Sequence, residues 1–389
     1  MISWAIRPPE KKKGPDAAAV WKARTGVDLA ALPRLHPAHP DSEAARALDV
    51  LLQPLDLHLG GRSDDRRPRA DGQPDDDDAL EELRDFLRAA VRSETTEPQA
   101  LSPDVVSLLE RRAGTLDAVA DYVAKHQNIR WREDFEPRPR SSSLYTSDHL
   151  TLHRLLIGRA FLALERDDTA TAARMLATSQ QLSRVLAERL ELESQFFAVG
   201  VERLQLALIR RAGSALGAAP AEPKSGTRER YLAGMSAEAA LIVRNVQRGA
   251  YKPNDPDPAE RIFEGLVAPE LHAAANETVT TAAAGVEEIR RSQDGCAELA
   301  KKRRVPDGVF AENFRMLNAI EAWRRFQVLE LDRAITTAVL TGRTASPCAS
   351  VTITVRDDGT TRTVEAKGLP AESEIVLALP PVVTTPLKR

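Results

Sequence analysis

Residues 147–213 constrain the fold more than any other stretch of this chain. Leu152, Leu155, Leu156, Ala160 and Ala163 recur at three- and four-residue intervals, which is the period of an amphipathic helix. One short polar break, at Arg166–Thr169, interrupts the run before it ends at Gly213. Helices with one apolar face must bury it, and the cheapest cover is another such helix. Composition agrees: Ala, Leu, Arg and Glu are abundant, and aromatics make up only 4%. Small and straight-chain residues lose little side-chain freedom in a helix.

The rest of the chain divides around this run. Residues 16–35 read as a short helix from Asp16 to Gly26 and a second turn stopped by Pro33. Residues 40–59 hold a helix capped by Asp41 or Ser42 that ends at Pro54. We group 1–59 as a tail with short helices. Residues 60–78, almost without apolar side chains and rich in Gly, Pro and charge, read as a flexible linker or loop. Its last acids, Asp75–Asp78, stand at the start of a helix, where they favour the positive end of the macrodipole. The magnesium-binding acids of prenyl-transfer enzymes would sit mid-helix. A helical domain follows over 79–341. Within it Ser102, Pro103 and Asp104 form a helix start. Further helices are expected at 236–248 from Ser236, at 258–266, at 269–293 and at 307–341. From Gly342 the pattern changes: β-branched and polar residues alternate on both sides of Asp358-Gly359, a hairpin signal. "SEIVLALP" adds a third strand, so 342–389 is a β unit that must lean on the helices. The fold expected is mainly α, an irregular helical-hairpin array or bundle with a small C-terminal antiparallel β unit.

The 389 residues carry 54 basic and 57 acidic side chains, a net charge of −3. That balance argues against nucleic acid as the partner. No stretch reaches the roughly 18–20 apolar residues of a membrane span. The short apolar run at the start precedes its lysines, the reverse of a secretory signal, so the expected location is the cytoplasm. Only Cys296 and Cys348 are present. They are too few for a zinc site and too far apart for a CxxC pair, which leaves two thiols or one disulfide.

Two features carry chemistry. His149 and His153 lie one turn apart at the edge of the apolar stripe and can hold a metal ion from one side of a helix. The HExxH pattern would need Glu where Leu150 stands, and the spacing selects no third ligand from His126, His272 or a carboxylate. The expected environment is a helix start, half packed and half wet. The second feature is the loop at 128–147, where Arg130, Trp131, Arg132 and Phe135 mix cations with aromatics and can engage a partner. Phe161 is a further aromatic candidate. No GxSxG, phosphate-cradling glycine loop or nucleophile–base signature is present.

"GRAFLALERDDTATAARMLATSQQL" (158–182) resembles a tetratricopeptide repeat. Gly158 stands at the small crossing position, Phe161 in the aromatic slot, and Ala170 and Ala177 on the second helix. Arg154 replaces the usual aromatic, Arg174 a large apolar residue and Leu182 the closing proline, and no second copy follows. The resemblance implies helical hairpins with close crossings. The order of "WKARTGVDL", "DGCAEL", "ENFRMLNAIEAWRRFQVLELDRAI" and "SPCASVTITVRDDGTT" resembles a group of bacterial helical proteins to which no reaction is assigned. That resemblance implies that Cys296 and Cys348 approach each other, and it brings in the bacterial envelope as an alternative location should an N-terminal anchor have been removed.

The function expected is a non-catalytic helical scaffold that binds another protein, with no cofactor. The alternatives are a metal-dependent enzyme using His149 and His153, and a helical bundle that binds a small ligand or lipid.

Overall fold

A computed structural model describes residues 16–60, 76–97, 99–133, 146–216, 227–248, 258–292, 319–369 and 379–387. The chain is mainly helical and closes with a three-stranded antiparallel sheet. The helices are α1 (Ala17–Thr25), α2 (Leu32–Leu35), α3 (Glu43–Leu52), α4 (Asp77–Arg92), α5 (Pro103–Lys125), α6 (Thr146–Glu165), α7 (Thr169–Glu188), α8 (Leu192–Ala212), α9 (Thr227–Arg248), α10 (Pro258–Arg291) and α11 (Ala319–Thr341). Strands β1 (Thr352–Asp357), β2 (Thr361–Lys367) and β3 (Val382–Pro386) pair in that order.

The capping residues act as their types require. Asp16, Ser42, Ser102 and Asp168 each accept a backbone N–H in the first turn of their helix. Gly26 ends α1 with φ +78°, a conformation that costs a side chain little only in glycine.

Several boundaries depart from the sequence expectation. Pro33 lies in the first turn of α2 rather than stopping it, as its fixed φ allows. The run from 169 to 213 is broken a second time, at Arg189–Glu191, although no Gly or Pro marks the place. α9 already includes Thr227, so Ser236 lies mid-helix and buried instead of capping. α10 runs unbroken through Pro269, where two helices are expected. The third strand is Val382–Pro386, downstream of the expected "SEIVLALP", most of which lies outside the described residues. The segment expected to be a linker ends in order: Asp76 is buried and takes hydrogen bonds of 2.7 Å from both Arg111 and Arg112 of α5. Residues 61–75 and 307–318 lie outside the described residues.

Two apolar cores result. One joins α3, α4, α5, α6 and α7 with one face of α8. The other joins α1, α9, α10 and α11, the sheet and the opposite face of α8. α8 thus serves both cores, and the N-terminal segment is split between them, α1 to one and α3 to the other. The sheet leans on α11 through Val351, Ile353, Val364 and Val383. Segment 94–96 covers the outer edge of β3, Thr96 N donating to Thr384 O and Thr384 N to Glu94 O, which protects that edge from pairing elsewhere.

Charge is buried where the cores meet. Asp332 of α11, wholly buried, receives Arg203 and Arg210 of α8. Arg210 also donates to Thr336 Oγ1 and to Val91 O at the end of α4.

Candidate functional site

The loop singled out in the sequence begins as an extended segment. Ile129 and Trp131 point into the core, and Arg130 and Arg132 face out, as alternation demands. Its partner is the stretch before α3. His39 N donates to Glu133 O at 3.0 Å, Glu133 N to His39 O at 3.2 Å, and Ser42 N to Arg130 O at 2.8 Å. Ser42 Oγ caps α3 and also accepts Arg130 N, while Asp41 Oδ1 accepts Arg132 N.

The other side of the segment is held by the unexpected break between α7 and α8. Arg189 leaves the helix there and is buried, its Nη1 donating to Trp131 O at 3.1 Å and Arg132 O at 2.7 Å. Glu191 Oε2 balances the guanidinium from 2.8 Å, and Leu190 N donates to Glu133 Oε1 at 2.8 Å. Gln195 Nε2 bonds the freed carbonyls of Ala187 and Arg189. A buried arginine that serves two carbonyls of the extended segment accompanies the break, where the helix stops without Gly or Pro. Between the segment and the end of α7 lies a groove of about 230 Å³, lined by His39, Arg130, Trp131, Glu133, Val185, Glu188 and Arg189.

Behind its wall lie the two histidines. Both are fully buried, at 1% and 0% exposure, which corrects the half-wet expectation. The physical cause is cover: His58 N donates to Asp148 Oδ2 and so folds residues 57–60 over the start of α6, and Trp131 stands edge-on to His149 at 4.5 Å. His149 Nε2 lies 3.2 Å from Leu59 O. His153 Nδ1 lies 2.9 Å from Ser179 Oγ, which also accepts Gln205 Nε2. Trp131 Nε1, His149 Nδ1 and His153 Nε2 have no hydrogen-bond partner among the described residues. Burial lowers both imidazoles, His153 to about 3; for His149 the neighbouring His153 and Arg189 add repulsion. Both rings are therefore neutral at pH 7.

Neutral rings with one nitrogen pinned are the state in which histidine ligates metals. The rest of such a site is missing from the described residues. No three His, Cys, Asp or Glu side chains converge. His126 stacks on Tyr122 and turns Nδ1 to the Tyr122 carbonyl, and His272 is exposed on α10. A dication on two neutral ligands beside Arg189 would be an uncompensated buried charge, which costs several kcal/mol. The Ser179–His153 contact has the distance of a nucleophile–base pair. Both residues are at 0% exposure, which closes the pair to substrate, and among the described residues no carboxylate orients the ring.

Arg130 and Arg132 thus lie at the surface, whereas Trp131 is a core residue whose ring is not presented to a partner. Phe161 is likewise buried, edge-on to Phe86. Phe135 lies outside the described residues. Cys348 is buried and disulfide-bonded, and Cys296, the other cysteine of the chain, lies outside the described residues. His39, Glu133, Glu188 and Arg189 have no sequence signature that gathers them. Among the described residues no helix is long and apolar enough to cross a membrane. Comparison of the chain with protein-family models, curated proteins and solved structures gives no match.

Proposed function

We propose that this protein is a non-catalytic helical scaffold that engages another protein at the groove between the Ile129–Glu133 segment and the end of α7. The observation that carries the reading is the groove's size and construction. At about 230 Å³ it falls below the roughly 300–1,000 Å³ of small-molecule and cofactor sites, and it suits one or two inserted side chains. Its wall is held from both sides, by Ser42 and Asp41 on one and Arg189 on the other. A preorganised wall lowers the entropy cost of docking. Arg130 at the mouth and the mixed Arg and Glu lining favour a polar partner segment. The wall's carbonyls at Trp131 and Arg132 are taken by Arg189, so recognition runs through side chains rather than through an added strand.

The test is site-specific photo-crosslinking in the native cell. A crosslinking side chain in place of Arg130 is expected to label one distinct protein, and the same group in place of exposed Arg356 on β1 is not. In the Arg130→Glu/Arg132→Glu variant, retrieval of that protein drops at least tenfold. Equal labelling from both positions, or none from position 130, overturns the reading.

A further inference from the structure

The one departure from the repeat pattern that brings a charge onto α6 among packed helices is Arg154. It is half-buried, and its charged neighbours Arg84, Asp85 and Arg88 all belong to α4, one of the helices packed on α6. Gly158 lies one turn further along. A Cβ there would stand 2.8 Å from Leu83 Cδ1, so the bare backbone lets the Leu83 side chain of α4 seat directly on α6. Arg84 adjoins Leu83, and Arg88 follows one turn later. The close approach therefore brings three guanidinium groups from two helices within electrostatic reach of one another.

Their partners are unequal. Arg84 bonds Glu81 and, at 3.1 Å, Asp85, while Arg88 lies 3.5 Å from the same Asp85 oxygen. Both carboxylates are more than half exposed at the rim. Arg154 has no hydrogen bond or ion pair with any described residue. Burial lowers its pKa to about 10, with repulsion from Arg88 and then Arg84 adding to the effect and Asp85 opposing it. It stays cationic at neutral pH, with the N–H donors of its planar fork uncommitted to any described residue.

We propose that Arg154, Arg84 and Arg88 form a binding site for a phosphate-class oxyanion, either free phosphate or a phosphomonoester headgroup. A half-buried cation facing two like charges is unfavourable by itself, and an arriving dianion reverses the sign of all three interactions. Three guanidinium forks offer more donors than the two oxygens of a carboxylate accept, whereas a tetrahedral oxyanion uses them. Glu81 and Asp85 engage Arg84, Asp85 also lies beside Arg88, and both carboxylates compete with the ligand. The site lies apart from the groove and does not depend on the function proposed above.

The experiment is calorimetric titration of the full chain with inorganic phosphate, at constant ionic strength against a chloride control. Saturable binding at one site is expected, weakened at least tenfold in Arg154→Gln and about threefold in Arg154→Lys, and unchanged in Arg356→Gln on β1. Should Arg154→Gln fail to fold, exposed Arg88→Gln takes its place, with about threefold weaker binding expected. Asp85→Asn removes a competitor and tightens binding. Cosedimentation with vesicles carrying phosphatidic acid, against phosphatidylcholine alone, separates the sources: binding of the free anion alone assigns a soluble ligand, and added vesicle binding a headgroup. Absence of phosphate binding above the chloride control, or unchanged affinity in both Arg154→Gln and Arg88→Gln, overturns the proposal.

Discussion

Two of the polar centres buried among the described residues solve the same problem in opposite ways. At Asp332, charge is kept and paired: one carboxylate receives two guanidinium groups, and Thr336 and the Val91 carbonyl take further donors. At His149 and His153, charge is avoided: the rings are neutral, and three nitrogens in the cluster are left without partners. The first centre joins α4, α8 and α11 where the two cores meet. The second stands behind the groove wall, within one core. A paired ion network binds elements firmly but fails badly when one member is lost. A neutral cluster tolerates loss better and is exposed instead to protons.

The hardest blow to this contrast is Asp332→Ala. It leaves Arg203 and Arg210 buried without their carboxylate, and breaking a buried pair this way costs about 3–5 kcal/mol. That is a large share of the roughly 5–15 kcal/mol that holds a domain folded. Urea denaturation should show the loss as a lower midpoint with both cores affected together, because α8 belongs to each. A loss under about 1 kcal/mol would mean that the arginines find other partners and that the junction is no keystone.

The next effect is the response to acid. An imidazole whose folded pKa is depressed gives its full stability above the unfolded value near 6.5 and loses it as pH falls toward the folded value. His149 and His153 both do this, and for His153 the loss runs down to about pH 3. Glu238 on α9 works the other way. Burial, with Glu193 and Glu191 adding repulsion, pushes its carboxyl up to about 7, so its contribution is full below about 4.5 and fades as pH rises through 7. From pH 6.5 to 4.5 the unfolded chain holds two protons on the histidines and the folded chain one on Glu238. The two histidines outweigh the one carboxyl, so stability falls as pH drops across this range. Asp76, lowered by its bonds to Arg112 and Arg111 against the cost of burial, adds to the loss only at the acid end. A denaturation series across pH checks the profile. The His149→Gln/His153→Gln variant should reverse the slope between 6.5 and 4.5, because Glu238 then acts alone. A double variant with the parent slope would place the acid sensitivity elsewhere.

How far these centres were legible in the sequence follows from the range of the forces that make them. Caps and the Asp358-Gly359 hairpin are local, and Ser42, Ser102 and the β1–β2 pairing stand where the pattern puts them. The two histidines are visible as an i,i+4 pair, yet their burial comes from Leu59 and Trp131, about 90 and about 20 residues away in the chain. Arg130 and Arg132 are legible as surface cations, and the alternation that exposes them also buries Trp131 between them. The break at Arg189 has no Gly or Pro to mark it, and what accompanies it is the pair of carbonyls at 131 and 132. Pro269 errs the other way, for a strong local breaker is carried inside the long helix α10.

The smallest effect is the sharpest test of the neutral centre. Trp131→Phe removes an indole N–H that has no partner, together with the outer part of the ring. Deleting an unsatisfied donor in favour of an apolar group is close to neutral or stabilising. The smaller ring leaves a cavity that costs about 1 kcal/mol at roughly 24 cal/mol per Å³. The net change should therefore be within about 1 kcal/mol, with the edge-on contact to His149 retained. A loss beyond about 2.5 kcal/mol would mean that this N–H has a bonded partner in solution, such as a bridging water that also serves the free nitrogens of His149 and His153. The two centres would then be alike, both held by closed hydrogen-bond networks, and the neutral one would resist acid more than its bare imidazoles predict.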